Sequence, residues 1–187
     1  GSEHLRYFEH MRFSVLMRKQ NLDNPWVSYR WVPQEVLPDF EQLSQESSGH
    51  ISGQFLGRDE DGESWLFTGF ELNLFLDEAE GYYLNVSATT PSWFVMWRLE
   101  EDFERYIDAN SLEMAKAEAN IAVPHRICVS YNEAARLLDG GESVDTIPMS
   151  EEQASWLQEY VNEHYRPEPK KRHKPASFKG AQRTAGE

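Results

Sequence analysis

The 187-residue sequence predicts a single β-dominated α+β domain: a strongly bent or barrel-like antiparallel sheet with a C-terminal helix packed on it. Three observations carry that expectation. Short runs rich in aromatic and β-branched residues, some alternating with period two, fill the first two thirds of the chain. The links between them are short and hold turn chemistry, which joins antiparallel neighbours rather than strands alternating with helices. Near the end, Ser150 and Gln153 stand at capping-box spacing ahead of a helical pattern.

Taken in order, Arg12–Gln20 reads as a strand and Asn21–Pro25 as a turn. Trp26–Leu37 suits a half-buried pleated surface, and Pro33 within it lacks an N–H, which demotes that end to an edge or a bulge. A polar loop near Ser44–Gly49 precedes a strand at Ile51–Arg58. Asp61-Gly62 then signals a hairpin into Ser64–Leu76, where Leu66, Phe70, Leu72, Leu74 and Leu76 share one parity, the stripe of a core face. Glu80-Gly81 reads as a turn into a strand at Tyr82–Thr90, and Pro91 separates that from a strand at Trp93–Leu99. Beyond Glu100 the pattern changes. Glu101–Lys116 has loose helical character, and Pro124 leads into a strand at Arg126–Ser130. Ser130 precedes a short helix, Tyr131–Asp139, with Gly140-Gly141 as its stop. The last helix spans Glu151–Tyr165. Glu151 and Glu152 sit in its first turn, where the dipole favours negative charge. Ala154, Leu157, Val161 and His164 line one face, with Trp156 and Tyr160 beside them. There is no internal repeat.

Charge divides the chain. There are 18 Lys+Arg against 32 Asp+Glu, a net charge of −14. Residues 166–187 hold seven basic and two acidic residues, net +5, which leaves −19 on residues 1–165. This tail has no apolar periodicity and only Phe178 as a large hydrophobe, so disorder is expected from a boundary at Arg166–Pro167. Lys170, Lys171, Arg172 and Lys174 form its candidate partner-binding cluster. The expected organisation is an N-terminal extension over 1–11, with Gly1-Ser2 read as a tag scar, a β-rich domain over 12–165, and the tail. No apolar run approaches a membrane span and no signal peptide opens the chain, so a soluble cytoplasmic protein is expected.

The chemistry-bearing patterns are sparse. One cysteine, Cys128, excludes an internal disulfide framework and any zinc site needing two or more cysteines. Asp59-Glu60-Asp61-Gly62 has the look of a calcium loop, yet alignment on its glycine puts Gly57 and Thr68 at the first and last ligand positions; a solvated hairpin tip is expected. The six histidines show no helical metal motif, and no phosphate cradle is present, so neither a metal nor a nucleotide cofactor is expected. His125 and Cys128, three apart on a strand, face opposite sides, and Cys128 between Ile127 and Val129 reads as a small buried hydrophobe. Nucleic acid is disfavoured because only Arg30 and Arg98 interleave with the aromatic strands, whose rings read mainly as core.

A family resemblance rests on ordered segments. Phe13–Leu37 leads from a Val/Met-rich strand through Asn-Pro-Trp to a second strand. Next come Tyr83-Leu84-Asn85, Pro91-Ser92 and the strand ending at Arg98. Val129–Ala135, Val144-Asp145, Pro148-Met149, Trp156 and Glu163-His164-Tyr165 complete the series, with the basic tail after it. Together they resemble the bacterial DUF3305 family, whose members tend to be encoded near formate dehydrogenase genes. Some records label members as molybdopterin-guanine dinucleotide biosynthesis proteins, but residues 11–25 hold neither a glycine nor a phosphate cradle for that chemistry. The resemblance implies a non-enzymatic accessory protein for maturation or assembly of a cytoplasmic metalloenzyme such as formate dehydrogenase, acting by protein recognition. The competing reading is a small enzyme or ligand-binding module with a pocket on the sheet. Trp26, Arg30, Asn85 and Arg98 are the candidate binding surface, with Glu71 as a further polar residue on an apolar strand. Edge pairing offers a route to a homodimer.

Overall fold

The computed structural model describes residues 11–39 and 50–167. Among the described residues seven strands form two antiparallel sheets. The first holds β1 (Arg12–Asn21), β2 (Tyr29–Pro38), β3 (Ser52–Asp59) and β4 (Gly62–Glu71) in the order β2-β1-β4-β3; the second holds β5 (Ser92–Glu100), β6 (Ile121–Cys128) and β7 (Ser143–Pro148) in the order β6-β5-β7. The helices are α1 (Ala79–Val86), α2 (Leu112–Ala115), α3 (Tyr131–Asp139) and α4 (Glu151–His164), with 3-10 turns at Leu76–Glu78, Glu104–Tyr106 and Ala109–Ser111.

The expected α+β class holds, but the barrel does not close. β2 and β7 lie side by side without a hydrogen-bonded ladder, among the described residues two separate sheets. Pro33 and Pro38 on β2 and Pro148 on β7 remove donors that a closing ladder would need. Pro33 stands at the bulge where Leu16 pairs with Glu35 and Met17 with Pro33, on an edge strand as expected. Both sheets share one core. Phe13, Val15 and Met17 of β1 and Trp65 and Phe67 of β4 meet Val95, Ile121 and Val123 of the second sheet, all fully buried. Phe13 and Trp93 touch across it, ring centroids 4.8 Å apart. Met11 also belongs to this core, and its carbonyl accepts from Leu72 N–H at 3.2 Å, so the packed domain begins before residue 12.

Several expectations are corrected. The even-numbered stripe of Ser64–Leu76 does not run through, because β4 carries a bulge between Phe67 and Phe70. Gly69 there takes φ +103°, open to glycine, and a Cβ would fall 2.2 Å from the His50 carbonyl. Before the bulge the odd residues Trp65 and Phe67 face the core; after it Phe70, Leu72 and Leu74 do, while Leu76 is exposed. The expected strand at Tyr82–Thr90 is α1. Its buried positions Ala79, Tyr82 and Asn85 recur every third residue, a helical spacing that β-branched and aromatic content disguised. Gly81 is not a turn residue but the point where α1 meets Ser130; a Cβ there would lie 2.0 Å from the Ser130 hydroxyl. β6 starts at Ile121 and passes through Pro124, tolerated beside a bulge on an edge strand. β7, missed in the sequence, is an edge strand with only Ile147 buried.

The C-terminal helix is as expected at its start: Ser150 and Gln153 form the reciprocal capping box. Its inner face is Trp156, Leu157, Tyr160 and Val161, and His164 points outward. α4 packs on α1, with Tyr82 edge-on to Tyr160 at 5.6 Å and Tyr83 stacked on Tyr165 at 5.0 Å. Trp93 Nε1 donates to Gln153 Oε1 at 3.1 Å and ties the helix start to β5. Most of the expected N-terminal extension, the polar loop near 44–49 and the tail beyond Pro167 lie outside the described residues.

Candidate partner-binding groove

The outer face of the second sheet carries α3. Ser130 starts this helix: its buried hydroxyl accepts from Glu133 N–H at 3.0 Å and donates to Glu78 Oε1 at 2.6 Å, while Arg136 pairs with the other Glu78 oxygen. Gly140 and Gly141 end it, Gly141 at φ +89°. Tyr131, Ala134, Ala135 and Leu138 stand at i, i+3, i+4 and i+7, one apolar stripe turned to the sheet. Across from them lie Phe94 of β5 and Val144 and Thr146 of β7, and the space enclosed is a groove of about 150 Å³. Its floor is a small cluster of Phe94, Cys128 and Ala134, separate from the main core. Tyr131 meets Phe94 edge-on at 6.4 Å yet stays 53% exposed, and Leu138 is 54% exposed. The groove therefore presents two large apolar side chains to solvent at its mouth.

Paired charges frame it. Arg98 grips Glu142 with two hydrogen bonds, Nε to Oε1 at 3.0 Å and Nη2 to Oε2 at 2.6 Å, and so fixes the turn from α3 into β7. Arg126 pairs with Glu133 at 3.1 Å, whereas on the opposite face of the sheet, beside the main core, Trp97 Nε1 donates to Asp145 at 2.7 Å. Beneath the groove, burial and then the nearby Glu133 push the Cys128 thiol up to about 12, so it stays protonated and is the small hydrophobe expected.

The sequence-chosen candidates do not share one surface. Trp26, 86% exposed, lies between β1 and β2, where Asn24 Oδ1 accepts from Trp26 and Val27 N–H. Arg30 is exposed on β2 and donates to Gln20 Oε1 at 3.0 Å. Asn85 is interior: its amide donates to the Ser92 and Val129 carbonyls at 2.8 and 2.9 Å and accepts from Ser92 N–H at 3.0 Å. All three contacts join α1 to the starts or ends of strands, a structural task rather than ligand binding. Glu71 is exposed at the end of β4. None of these residues lines the groove; Arg98, further along β5 from Phe94, bonds Glu142 in the turn that leads into β7. Lys170, Lys171, Arg172 and Lys174 lie outside the described residues. Tyr131, Ala135, Leu138 and Val144 went unread, although the α3 spacing marks three of them.

Other polar clusters have structural partners. Asp59 accepts from Arg18 at 2.5 Å and from the backbone of Asp61 and Gly62; the Arg18 hydrogen bond leads the effects that hold it below the usual carboxylate range. This is a hairpin tip. Lys19 reaches Glu118 at 2.6 Å and Arg58 reaches Glu63 at 3.0 Å. Burial, and after it the adjoining Glu63, push the Glu118 carboxyl above its usual range against the opposing pull of Lys19. His125 bonds Glu100 at 2.7 Å and takes no part with Cys128. Among the described residues no three His, Cys, Asp or Glu side chains converge as a metal set, and no helix is long and apolar enough to cross a membrane. A larger cleft of about 630 Å³ lies between β2, β7 and the start of α4; its Ser150 and Gln153 are held by the capping box.

The family model described as "Protein of unknown function (DUF3305)" matches residues 12–174, and the chain belongs to this family. The match spans both sheets and α3 and runs past Pro167 to the end of the Lys170–Lys174 cluster. No curated protein and no solved structure matches the chain.

Proposed function

We propose that the protein is a non-enzymatic accessory protein of the cytoplasm that recognises another protein through the α3 groove, and that its client is a metalloenzyme under maturation or assembly. The gene neighbourhood typical of the family makes formate dehydrogenase, or one of its maturation factors, the first client to test. The observation that carries the reading is the groove with Tyr131 and Leu138 half-exposed at its mouth. At about 150 Å³ it falls below the several hundred Å³ usual for small-molecule sites and suits one anchoring side chain of a partner. Apolar anchors inside a polar rim are the arrangement in which a few residues supply most binding energy. The framing ion pairs set register and reject mismatched partners. A second reading, a ligand-binding module, is favoured by the larger cleft beside β2. A homodimer formed by edge pairing would use an outer strand such as β3, where Leu56 is exposed.

A photo-cross-linker at position 138, expressed in the native host, tests the proposal. We expect capture of a formate dehydrogenase subunit or maturation factor, with no such product from position 56 on β3. Equal capture from both positions, or none from 138, overturns it.

A further inference from the structure

Two strand edges lie open on either side of the cleft of about 630 Å³. On β2, Asp39 N–H donates to Arg12 C=O at 2.9 Å and sets the phase of the ladder to β1: Arg12 with Asp39, Ser14 with Leu37 and Leu16 with Glu35 are the bonded pairs. Val36 and Pro38 stand in the non-bonded positions between them. Their backbone groups therefore point away from β1 and into the cleft, which both residues line. Val36 offers an N–H and a C=O there and Pro38 a C=O alone, and nothing among the described residues bonds them. Val36 is only 6% exposed, and a buried backbone pair without a partner costs about as much as a lost hydrogen bond. On β7, Met149 N–H donates to Pro91 C=O at 2.9 Å, which likewise turns the backbone of Thr146 and Pro148 outward. The side chains sort by face. Met11, Ile147 and Met149 form an apolar wall on the core side, whereas Glu35 and Glu152 are exposed at the rim, without a cation partner among the described residues.

We infer that this cleft binds a short extended segment of a partner protein as an added strand on β2, with an apolar residue opposite Val36 and a lysine or arginine beside it. The backbone chemistry selects an extended peptide. In an antiparallel strand the residue opposite Val36 exchanges two hydrogen bonds with it, and the residue two along donates to Pro38 C=O. Alternation of side chains then fixes the pattern. The residue opposite Val36 shares its inward face and meets Met11, Ile147 and Met149, while the residue beside it shares the outward face of Glu35. Opposite charge at that rim favours a cation there. The site is short, because the bulge at Gln34 breaks the edge on one side and Pro38 withholds a donor on the other, so about three or four residues are held. The inference does not depend on the α3 groove, which shares no lining residue with this cleft.

Titration of the isotope-labelled full chain with the blocked peptide acetyl-Thr-Val-Lys-Val-Thr-amide, followed by NMR, tests it. The expected result is saturable shifts at Val36, Leu37 and Met149, with nuclear Overhauser contacts from the Val36 amide to a peptide valine. Methylating both valine nitrogens should abolish binding, because the donors to the β2 edge are gone. Exchanging the peptide lysine for glutamate should weaken binding about tenfold, and Glu35→Lys should reverse that preference. Glu35 is exposed, so this variant keeps its fold, which circular dichroism confirms. No shift with peptide at about 10 mM, shifts centred on Leu138 instead of Val36, equal affinity for the methylated peptide, or indifference to the charge exchange would each overturn the inference. Contacts in the peptide-free protein that already join the Val36 amide to another strand of the chain, or to a second copy in a mixed-label sample, would overturn it too.

Discussion

Replacing Asn85 by leucine separates a structural from a binding role for this residue. The leucine side chain is close in size but removes three hydrogen bonds of 2.8 to 3.0 Å at a site only 2% exposed. The Ser92 N–H and the Ser92 and Val129 carbonyls lose their partner there. A buried group left unpaired costs about 1–3 kcal/mol, and the new methyl contacts return part of that, so Asn85→Leu should lose about 3–5 kcal/mol. Against a typical stability of about 5–15 kcal/mol this is a large fraction. Urea unfolding monitored by fluorescence should show a lower midpoint with an unchanged slope. Asn85→Asp sharpens the test. Its carboxylate can still accept from Ser92 N–H but faces two carbonyl oxygens, so its folded pKa should rise above the unfolded value of about 3.9. The penalty of that charge is absent at low pH and grows as pH climbs through and beyond that value, so this variant should be weaker at pH 7 than at pH 4. A loss below about 1 kcal/mol for the leucine variant, or intact stability with impaired partner binding, would refute the structural role.

Gly81→Ala should destabilise by about 1–2 kcal/mol despite alanine's better helix propensity, because the added Cβ meets a fully buried Ser130; thermal unfolding reads this directly. Ser130→Ala should lose about 1–2 kcal/mol in the same assay, from the lost α3 cap and the lost hydrogen bond to Glu78 Oε1, while Arg136 still holds the other oxygen. Cys128 should resist alkylation at pH 8 in the folded protein and react once unfolded. Its folded pKa is raised, so its contribution to stability is complete below the ordinary thiol value and drains away as pH rises from about 9 towards about 12; a Cys128→Ala variant should lose that part of the alkaline slope.

Local signals carried much of the fold. The caps of α3 and α4 lie within four residues of sequence, so Ser130 and the Ser150/Gln153 box were readable without tertiary knowledge. Pro33 announced its own edge position by lacking a donor. The failures share the opposite character. Gly69 looks like any strand glycine, and only its neighbour His50 across the sheet shows why the parity must flip there. α1 is eight residues long, and its helical state is set by Ser130, Tyr160 and the backbone groups held by Asn85 rather than by propensity. The polar residues chosen on apolar strands were conspicuous by composition, yet Asn85 is satisfied internally and Arg98 by Glu142. The groove was half legible: the stripe Tyr131, Ala134, Ala135, Leu138 was there to read, but its other wall, β7, has too little apolar sequence to be noticed.

The most direct measurement is formate dehydrogenase activity in the native host lacking this protein, complemented by wild type or by Leu138→Asp. Because Leu138 is half-exposed at the groove mouth, the variant should fold with a melting temperature close to wild type. The account predicts that wild type restores activity and that folded Leu138→Asp does not. Full restoration by Leu138→Asp, or normal activity in the strain lacking the protein, would contradict it.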